Sequence, residues 1–371
     1  MLNVISLASD LIRIPSVSPA GEQSSLFLAS VLEKMSFQNH VLPFGDTFNL
    51  FSIRGEGGRH FCFAGHFDVV PAGDGWSHNP FDPQVKDGIL YGRGVVDMKG
   101  AIAAFIIALS MIDLNKINGT ISMLISGNEE EDATNGTPKL LEWLKEKEIK
   151  IDDCLVGEPT NPSFVGEMAK IGRRGSINFS LEVKGLQGHV AYNEIALNPI
   201  TILIKILSDL KSLSLDDGNK NFPKSNLEVT NIEVNNKSTN VIPGEAKASF
   251  NIRFNNIHTS TSLERIIDEI CKKHAKNYIL MIISSSESFL SNVPQLQKLV
   301  IDAVKKVTGT EPVLSTTGGT SDARFIHHYA NIIEFGLINE SAHKIDEHVP
   351  IKELEKLVLI YKEIILSYFN V

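Results

Sequence analysis

Cysteine is scarce, with three in 371 residues. Cys62, Cys154 and Cys271 are scattered without Cys-x-x-Cys spacing, so neither a disulfide framework nor a thiolate zinc site is indicated, and a reducing, cytoplasmic setting is expected. A basic surplus is missing too. The 35 Lys+Arg against 44 Asp+Glu give a net charge of −9, which argues against nucleic acid as a partner while leaving a small anionic substrate open. No apolar run is long enough for a membrane: the most apolar, Gly100 to Leu109, falls well short of the roughly 20 residues a crossing needs and reads as a buried helix. Met1 to Ser16 mixes Asp10 and Arg13 into an amphipathic pattern, without the basic start and unbroken apolar centre of a secretory signal. Internal repeats and low-complexity tracts are absent.

The remaining composition, 43% hydrophobic and 21% charged with a mean hydropathy of +0.01, is that of a globular chain and excludes collagen-like, disordered and membrane-spanning classes. This length exceeds what one core usually organises, so two domains are expected, with a single large α/β unit as the alternative. Short β-rich runs at His60–Gly65, Gly119–Ser126 and Cys154–Gly157 alternate with helical stretches at Met98–Ile112 and Pro138–Lys147, which predicts an α/β fold with helices on both faces of a sheet. From about Gly175 the texture changes. Ser176–Lys184 and Lys247–Phe254 alternate apolar and polar residues around a helical stretch, Pro199–Leu213, the pattern of strands with one wet face. After Ser286 a helix at Pro294–Thr308 and a strand at Asn331–Leu337 return to the first texture. The expected organisation is a discontinuous mixed-sheet catalytic domain, 1–174 with 288–371, and an inserted two-layer α+β domain, 175–287. Leu215–Lys224 reads as the most mobile loop.

His66, Asp68, Asp97, Glu129, Glu130, Glu158 and His343 share one placement, since nearly all fall just after a predicted strand. That is where active sites of such sheets lie. Singly, each has an ordinary explanation: a turn histidine, a helix N-cap for Asp97, a solvated acidic turn for Glu129–Asp132. Together, two imidazoles and several carboxylates suit a divalent transition metal such as zinc, with donors enough for two ions. In His66-Phe67-Asp68, extended alternation puts both side chains on one face, so the Asp68 carboxylate can orient the imidazole. His189, between glycine and valine in Gly185–Tyr192, is suited to hydrogen-bond an oxyanion. Arg173, Arg174 and Arg253 are basic spots in an acidic chain, fit for carboxylate recognition, and Gly318-Gly319-Thr320-Ser321-Asp322 offers backbone N–H groups to an anion.

Taken in order, Gly65-His66-Phe67-Asp68-Val69-Val70-Pro71, Gly92-Arg93-Gly94 through Asp97-Met98-Lys99-Gly100, Glu129-Glu130, Gly157-Glu158-Pro159-Thr160, Arg173-Arg174-Gly175-Ser176, Gly188-His189-Val190-Ala191-Tyr192, Thr239–Pro243, Gly318–Asp322 and His343-Lys344 resemble the dinuclear zinc M20 peptidase and deacylase family across essentially the whole chain. The resemblance implies metal-dependent amide hydrolysis with two Zn2+ per subunit, for which Co2+ can substitute. Asp97 would bridge the ions, His66 and Glu158 would complete one site, and Glu130 and His343 the other. Asp68 would orient His66 and Glu129 would be the general base. The inserted domain would form a homodimer and send His189 into the partner's active site, with Tyr192 and Asn240 nearby. Arg173, Ser176, Arg253, Gly319, Thr320 and Asn339 would contact a small dicarboxylate-type substrate. Glu131 and Asn193 depart from the glycine and proline usual among the most similar members. A non-catalytic metal-containing binding protein would need neither Glu129 nor His189. A nicotinamide oxidoreductase lacks support, because Gly92–Asp97 fails the GxGxxG pattern.

Overall fold

The computed structural model describes residues 3–371, which divide into two compact units. One comprises the described residues up to Ile171 with Ser291–Ser315 and Ser321–Val371. The other comprises Gly172–Leu290 with Thr316–Thr320. The glycine-rich turn around Gly318 and Gly319, assigned from sequence to the catalytic domain, thus belongs with the second unit.

In the first unit an eight-stranded mixed sheet runs in the order Gln38–Phe44, Thr47–Arg54, Gly119–Ser126, Arg59–His66, Asp153–Val156, Asn331–Glu334, Met168–Lys170, Val313–Ser315. The four strands from Gly119–Ser126 to Asn331–Glu334 are parallel. Three of them, Gly119–Ser126, Arg59–His66 and Asp153–Val156, are buried along nearly their whole length, which explains their continuous apolar composition. The hairpin Gln38–Phe44 and Thr47–Arg54, which the sequence reading did not name, extends the sheet antiparallel to Gly119–Ser126. Helix Gly100–Ser110 is buried from Gly100 to Leu109 and packs against Val4–Ile12 and Ile351–Phe369. Phe63 of the sheet stacks on Phe105 of that helix with centroids 4.4 Å apart and meets the edge of Tyr361 at 5.7 Å. The Tyr361 hydroxyl donates to the Phe335 carbonyl at 2.7 Å. Burying such rings stabilises the fold by about 1.5–3 kcal/mol each, so this seam fixes the helices to the sheet firmly.

The second unit is a two-layer α+β arrangement. Its antiparallel sheet runs in the order Asn226–Glu233, Glu245–Phe254, Gly175–Lys184, Tyr278–Ser286. Inward residues of the inner strands, such as Ile177, Phe179, Phe250 and Ile252, meet Leu203, Ile206, Leu263 and Ile267 of helices Pro199–Ser212 and Ser260–His274. The alternation seen in the sequence is the period of these half-buried strands. The segment expected to be the most mobile loop has no regular structure but is tied down: Asp216 accepts from Gly218 N at 2.7 Å and Asn255 Nδ2 at 2.6 Å, and Phe222 is buried. Asp and Asn side chains bonding local backbone give such a segment fixed turns in place of freedom. Among the described residues no helix is long and apolar enough to cross a membrane.

Candidate metal centre

Strand register brings the ligand candidates together. His66 ends its strand opposite Ser126, Ala64 lies opposite Val156, and Val156 lies opposite Glu334. Four neighbouring parallel strands therefore release the chain at one edge, and the segments carrying Glu129 and Glu130, Glu158, and His343 leave from adjacent ends. Asp97 arrives on the segment before helix Gly100–Ser110. A Cβ at Gly65 would stand 2.4 Å from Met98 Cε, and one at Gly157 would stand 2.5 Å from Phe63 Cζ and 2.7 Å from Met98 Cε. These two glycines admit the buried Met98 side chain across the strand ends, and Asp97 comes with it. Asp97 is not the helix N-cap. Lys99 occupies that position without a side-chain cap, and the Asp97 carboxylate turns instead to the imidazoles.

The two oxygens of Asp97 face different partners. Oδ1 lies 3.2 Å from His66 Nε2 and Oδ2 lies 3.2 Å from His343 Nε2. Glu158 Oε1 stands 3.8 Å from His66 Nε2, while Glu130 Oε1 stands 2.9 Å from His343 Nε2. Ligand atoms of His66, Asp97 and Glu130 all lie within 4.8 Å of one another. Two nitrogen-and-oxygen donor sets thus meet on one carboxylate, a chemistry suited to zinc-like divalent ions. Electrostatics agrees. Burial works against a charged His66, but its hydrogen bond to Asp97 and the charges of Asp68, Asp97 and Glu129 outweigh it and hold the imidazole well above its ordinary range. Hydrogen bonds to Asp97 and Glu130 push His343 up to about 10 against the effect of burial. Burial favours a neutral Asp97, yet the hydrogen bonds from His343 and His66 keep it well below the usual carboxylate range. The cluster demands positive charge and takes it from protons when no cation is bound, so its residues fit a pair of divalent metals.

Asp68 departs from expectation. The His66 Nδ1 partner at 2.9 Å is the Asp68 main-chain carbonyl, and the nearer carboxylate oxygen is 3.6 Å away. The strand ends at His66, so strict alternation stops before Asp68. Its Oδ2 instead accepts from Glu129 N at 2.9 Å and Glu130 N at 3.0 Å. One buried carboxylate therefore sets the bend that carries both acids. Burial, reinforced by Asp322, Glu130 and Asp68 and opposed by His66, pushes Glu129 up to about 8. Motif reading also passed over Glu347, buried beside Arg93 with a 2.9 Å ion pair. Its only signal is an acid four residues after His343.

Asn339 opens the turn toward His343: its N–H donates to Asn161 O at 2.8 Å and its carbonyl accepts from Ala342 N at 3.2 Å. The other candidates lie in the second unit. His189, Tyr192 and Asn240 are exposed and grouped. The His189 and Tyr192 rings are 5.6 Å apart, His189 Nδ1 accepts from Ala191 N at 3.1 Å, and Val190 N donates to Asn240 O at 3.1 Å. Ser176 and Arg253 are directly paired across adjacent strands, and Arg173 Nη1 donates to Gly319 O at 3.2 Å. Gly319 is exposed and Thr320 half-buried.

Comparison with known proteins adds sequence and fold relations. The signature of peptidase family M20/M25/M40 matches residues 62–367. The chain is 48% identical to the succinyl-diaminopimelate desuccinylase of Ehrlichia canis, covering 100% of this chain and 99% of that protein. It is 49% identical to the enzyme of the same name from Pelagibacter ubique, with 99% of each covered. The fold is similar to that of an M20 family metallo-carboxypeptidase from Sulfolobus solfataricus, with a TM-score of 0.81 at 19% identity and 100% of both chains covered.

Proposed function

The chain belongs to peptidase family M20/M25/M40, and from that premise we propose that it is a dinuclear zinc amidohydrolase cleaving N-succinyl-L,L-2,6-diaminopimelate to succinate and L,L-diaminopimelate. The observation that carries the reading is Asp97, whose oxygens each stand 3.2 Å from a different imidazole. In this reading His66 and Glu158 complete one site, Glu130 and His343 complete the other, and Co2+ substitutes for Zn2+. The acyl substrate follows from 48–49% identity to desuccinylases along the full length.

Two divalent ions held by His66, Asp97, Glu130, Glu158 and His343 would supply Lewis-acid activation of the amide and of water. The side chains do the rest. Glu129, fixed through its own N–H on Asp68, accepts a proton from the attacking water and delivers it to the nitrogen as the C–N bond breaks, so amide and water become acid and amine. His189 of the partner subunit donates to the developing oxyanion in a homodimer formed through the second unit. Arg173 and Arg253 clamp the substrate carboxylates, assisted by Ser176, Tyr192, Asn240, Gly319, Thr320 and Asn339. A biosynthetic hydrolase with three free cysteines belongs in a reducing cytoplasm.

The test is a substrate panel after chelation and zinc restoration. Succinylated diaminopimelate is expected to exceed acetylornithine and an unmodified dipeptide in kcat/KM by on the order of 100-fold or more, as lost carboxylate contacts should cost. Preference for either comparator would replace the assigned substrate, and turnover unaffected by chelation would remove the metal chemistry.

A further inference from the structure

Glu347 is fully buried and belongs to neither donor set, yet both of its oxygens are engaged by the segment that delivers Asp97. Oε2 accepts from Arg93 Nη1 and from Gly94 N, each at 2.9 Å. Oε1 accepts from Val96 N at 2.8 Å and from Asp97 N at 3.3 Å. Asp97 and Met98 have non-helical backbone angles, φ −123° and −134°, so this segment has no regular ladder of its own to accept those N–H groups. The carboxylate supplies the acceptors that a helix or strand would otherwise provide.

The contact is returned from the other side. Gly92 N donates to the Glu347 carbonyl at 2.9 Å, and Arg93 Nη1 reaches the Lys344 carbonyl at 3.2 Å. Arg93 Nη2 donates to Ala72 O at 3.0 Å, and its guanidinium lies 5.1 Å from the centre of the Trp76 ring. The loop bearing His343 is closed on itself: Ser341 Oγ donates to His348 O at 2.6 Å and accepts from His348 N at 3.1 Å. Within it His343 sits in the left-handed region at φ 62°. Two ligands from distant parts of the sequence, Asp97 and His343, thus ride on backbones that one buried ion pair joins.

We propose that Glu347, held by Arg93, is a positioning residue for the metal centre: it locks the Asp97 and His343 backbones in register so that one carboxylate addresses both donor sets. The inference rests on the reading of Asp97 as the shared ligand. Residues that orient ligands without touching the metal commonly change metal affinity 10–100-fold when altered. The substitution Glu347→Gln keeps the shape but loses the charge and one acceptor oxygen, so it cannot serve all four donors.

The experiment is titration of the metal-free full-length protein with Co2+, followed by its visible absorption and by calorimetry, for wild type, Glu347→Gln, Glu347→Asp and Arg93→Lys. Wild type should take two Co2+ per chain. Glu347→Gln should bind at least one ion about 10–100-fold more weakly with altered absorption bands, while its metal-free circular dichroism stays folded. Glu347→Asp should recover part of the affinity, because the charge returns at shorter reach. If Glu347→Gln does not fold, Arg93→Lys carries the test, since it keeps the charge and loses the fork. Wild type that takes up fewer than two ions would end the two-ion reading and this inference with it. Two ions in wild type, with the same isotherm and spectrum in a folded Glu347→Gln or Arg93→Lys protein, would overturn the inference alone.

Discussion

At the scale of single residues, Asp68 shows what local pattern can and cannot supply. His66-Phe67-Asp68 is legible in sequence as a histidine at a strand end followed by an acid, and the strand does end at His66. Its contacts are not legible there, because Asp68 lies beyond its strand and its Oδ2 accepts from N–H groups some 60 residues away, Glu129 at 2.9 Å and Glu130 at 3.0 Å. Glu347 was missed for the same reason, since its four donors come from a segment far away in the chain. The geometry sets an order among Asp68 variants. Asp68→Ala frees both N–H groups and releases the proposed base, Glu129, and the proposed ligand, Glu130, together, so kcat/KM should fall by about 100-fold or more with partial metal loss. Asp68→Asn keeps an acceptor oxygen and should fall less. Steady-state kinetics with metal analysis by mass spectrometry decides it; equal losses in the two variants would mean that the carboxylate charge, not the two N–H bonds, is what counts.

At the scale of elements, strand positions were readable because buried parallel strands write themselves as continuous apolar runs, and Gly119–Ser126 is buried at every position. Register was not readable. The pairing of Ala64 with Val156 and Val156 with Glu334 depends on partners far apart in the chain, and only that pairing turns separate loops into one cluster. The expected strand Asn331–Leu337 stops at Glu334, after which Phe335 N still donates to Val156 O at 2.9 Å but the chain turns toward His343. The glycines at strand ends are a device of the same scale. Gly157→Ala would put a methyl 2.7 Å from Met98 Cε and 2.5 Å from Phe63 Cζ, and overpacking of that kind costs about 1–3 kcal/mol. At Gly65 the sole severe contacts are with Met98, at 2.4 and 3.1 Å. Adding Met98→Ala should therefore relieve Gly65→Ala more completely than Gly157→Ala. Urea unfolding of wild type and the five variants in two double-mutant cycles measures the couplings; a smaller coupling at Gly65 would show that Met98 is not what the glycine accommodates.

At the scale of the molecule, the shift in texture near Gly175 revealed a second unit, but the passage of Thr316–Thr320 into that unit did not show, because a Gly-rich turn has no periodicity to read. The proposed homodimer has a direct consequence. If His189 acts across the interface, Glu129→Gln and His189→Ala subunits, each inactive alone, should complement when mixed, unfolded and refolded together. Random pairing makes half of the dimers mixed, each with one intact site, so about a quarter of the wild-type sites should return. Activity that stays at the level of the separate variants would place His189 in its own subunit's site or outside catalysis.

The charge balance of the cluster also sets how metal and pH act on the whole fold. Stripped of metal, the folded chain holds a proton on Glu129 up to about 8 and on His343 up to about 10, against ordinary values of 4.5 and 6.5. Folded protein therefore binds more protons than unfolded protein across that window, so these groups stabilise fully below it and the contribution is lost as pH rises through it. Asp97 is shifted downward from 3.8 and acts only at lower pH. Lys99, lowered by burial to about 7, has the opposite sign above neutrality. It donates to Ile14 O at 2.9 Å and is not among the candidate ligands, so a bound metal would not take the place of its proton. Zinc in the proposed sites would replace the protons of the donor sets, and its binding would tighten as pH rises. Bound at 1,000 times its Kd it adds about 4 kcal/mol. The gap in Tm between zinc-loaded and chelated protein should thus widen from about pH 6 to about pH 9, as scanning calorimetry can follow. A gap that narrows over that range would mean the two imidazoles are not where the metal displaces protons.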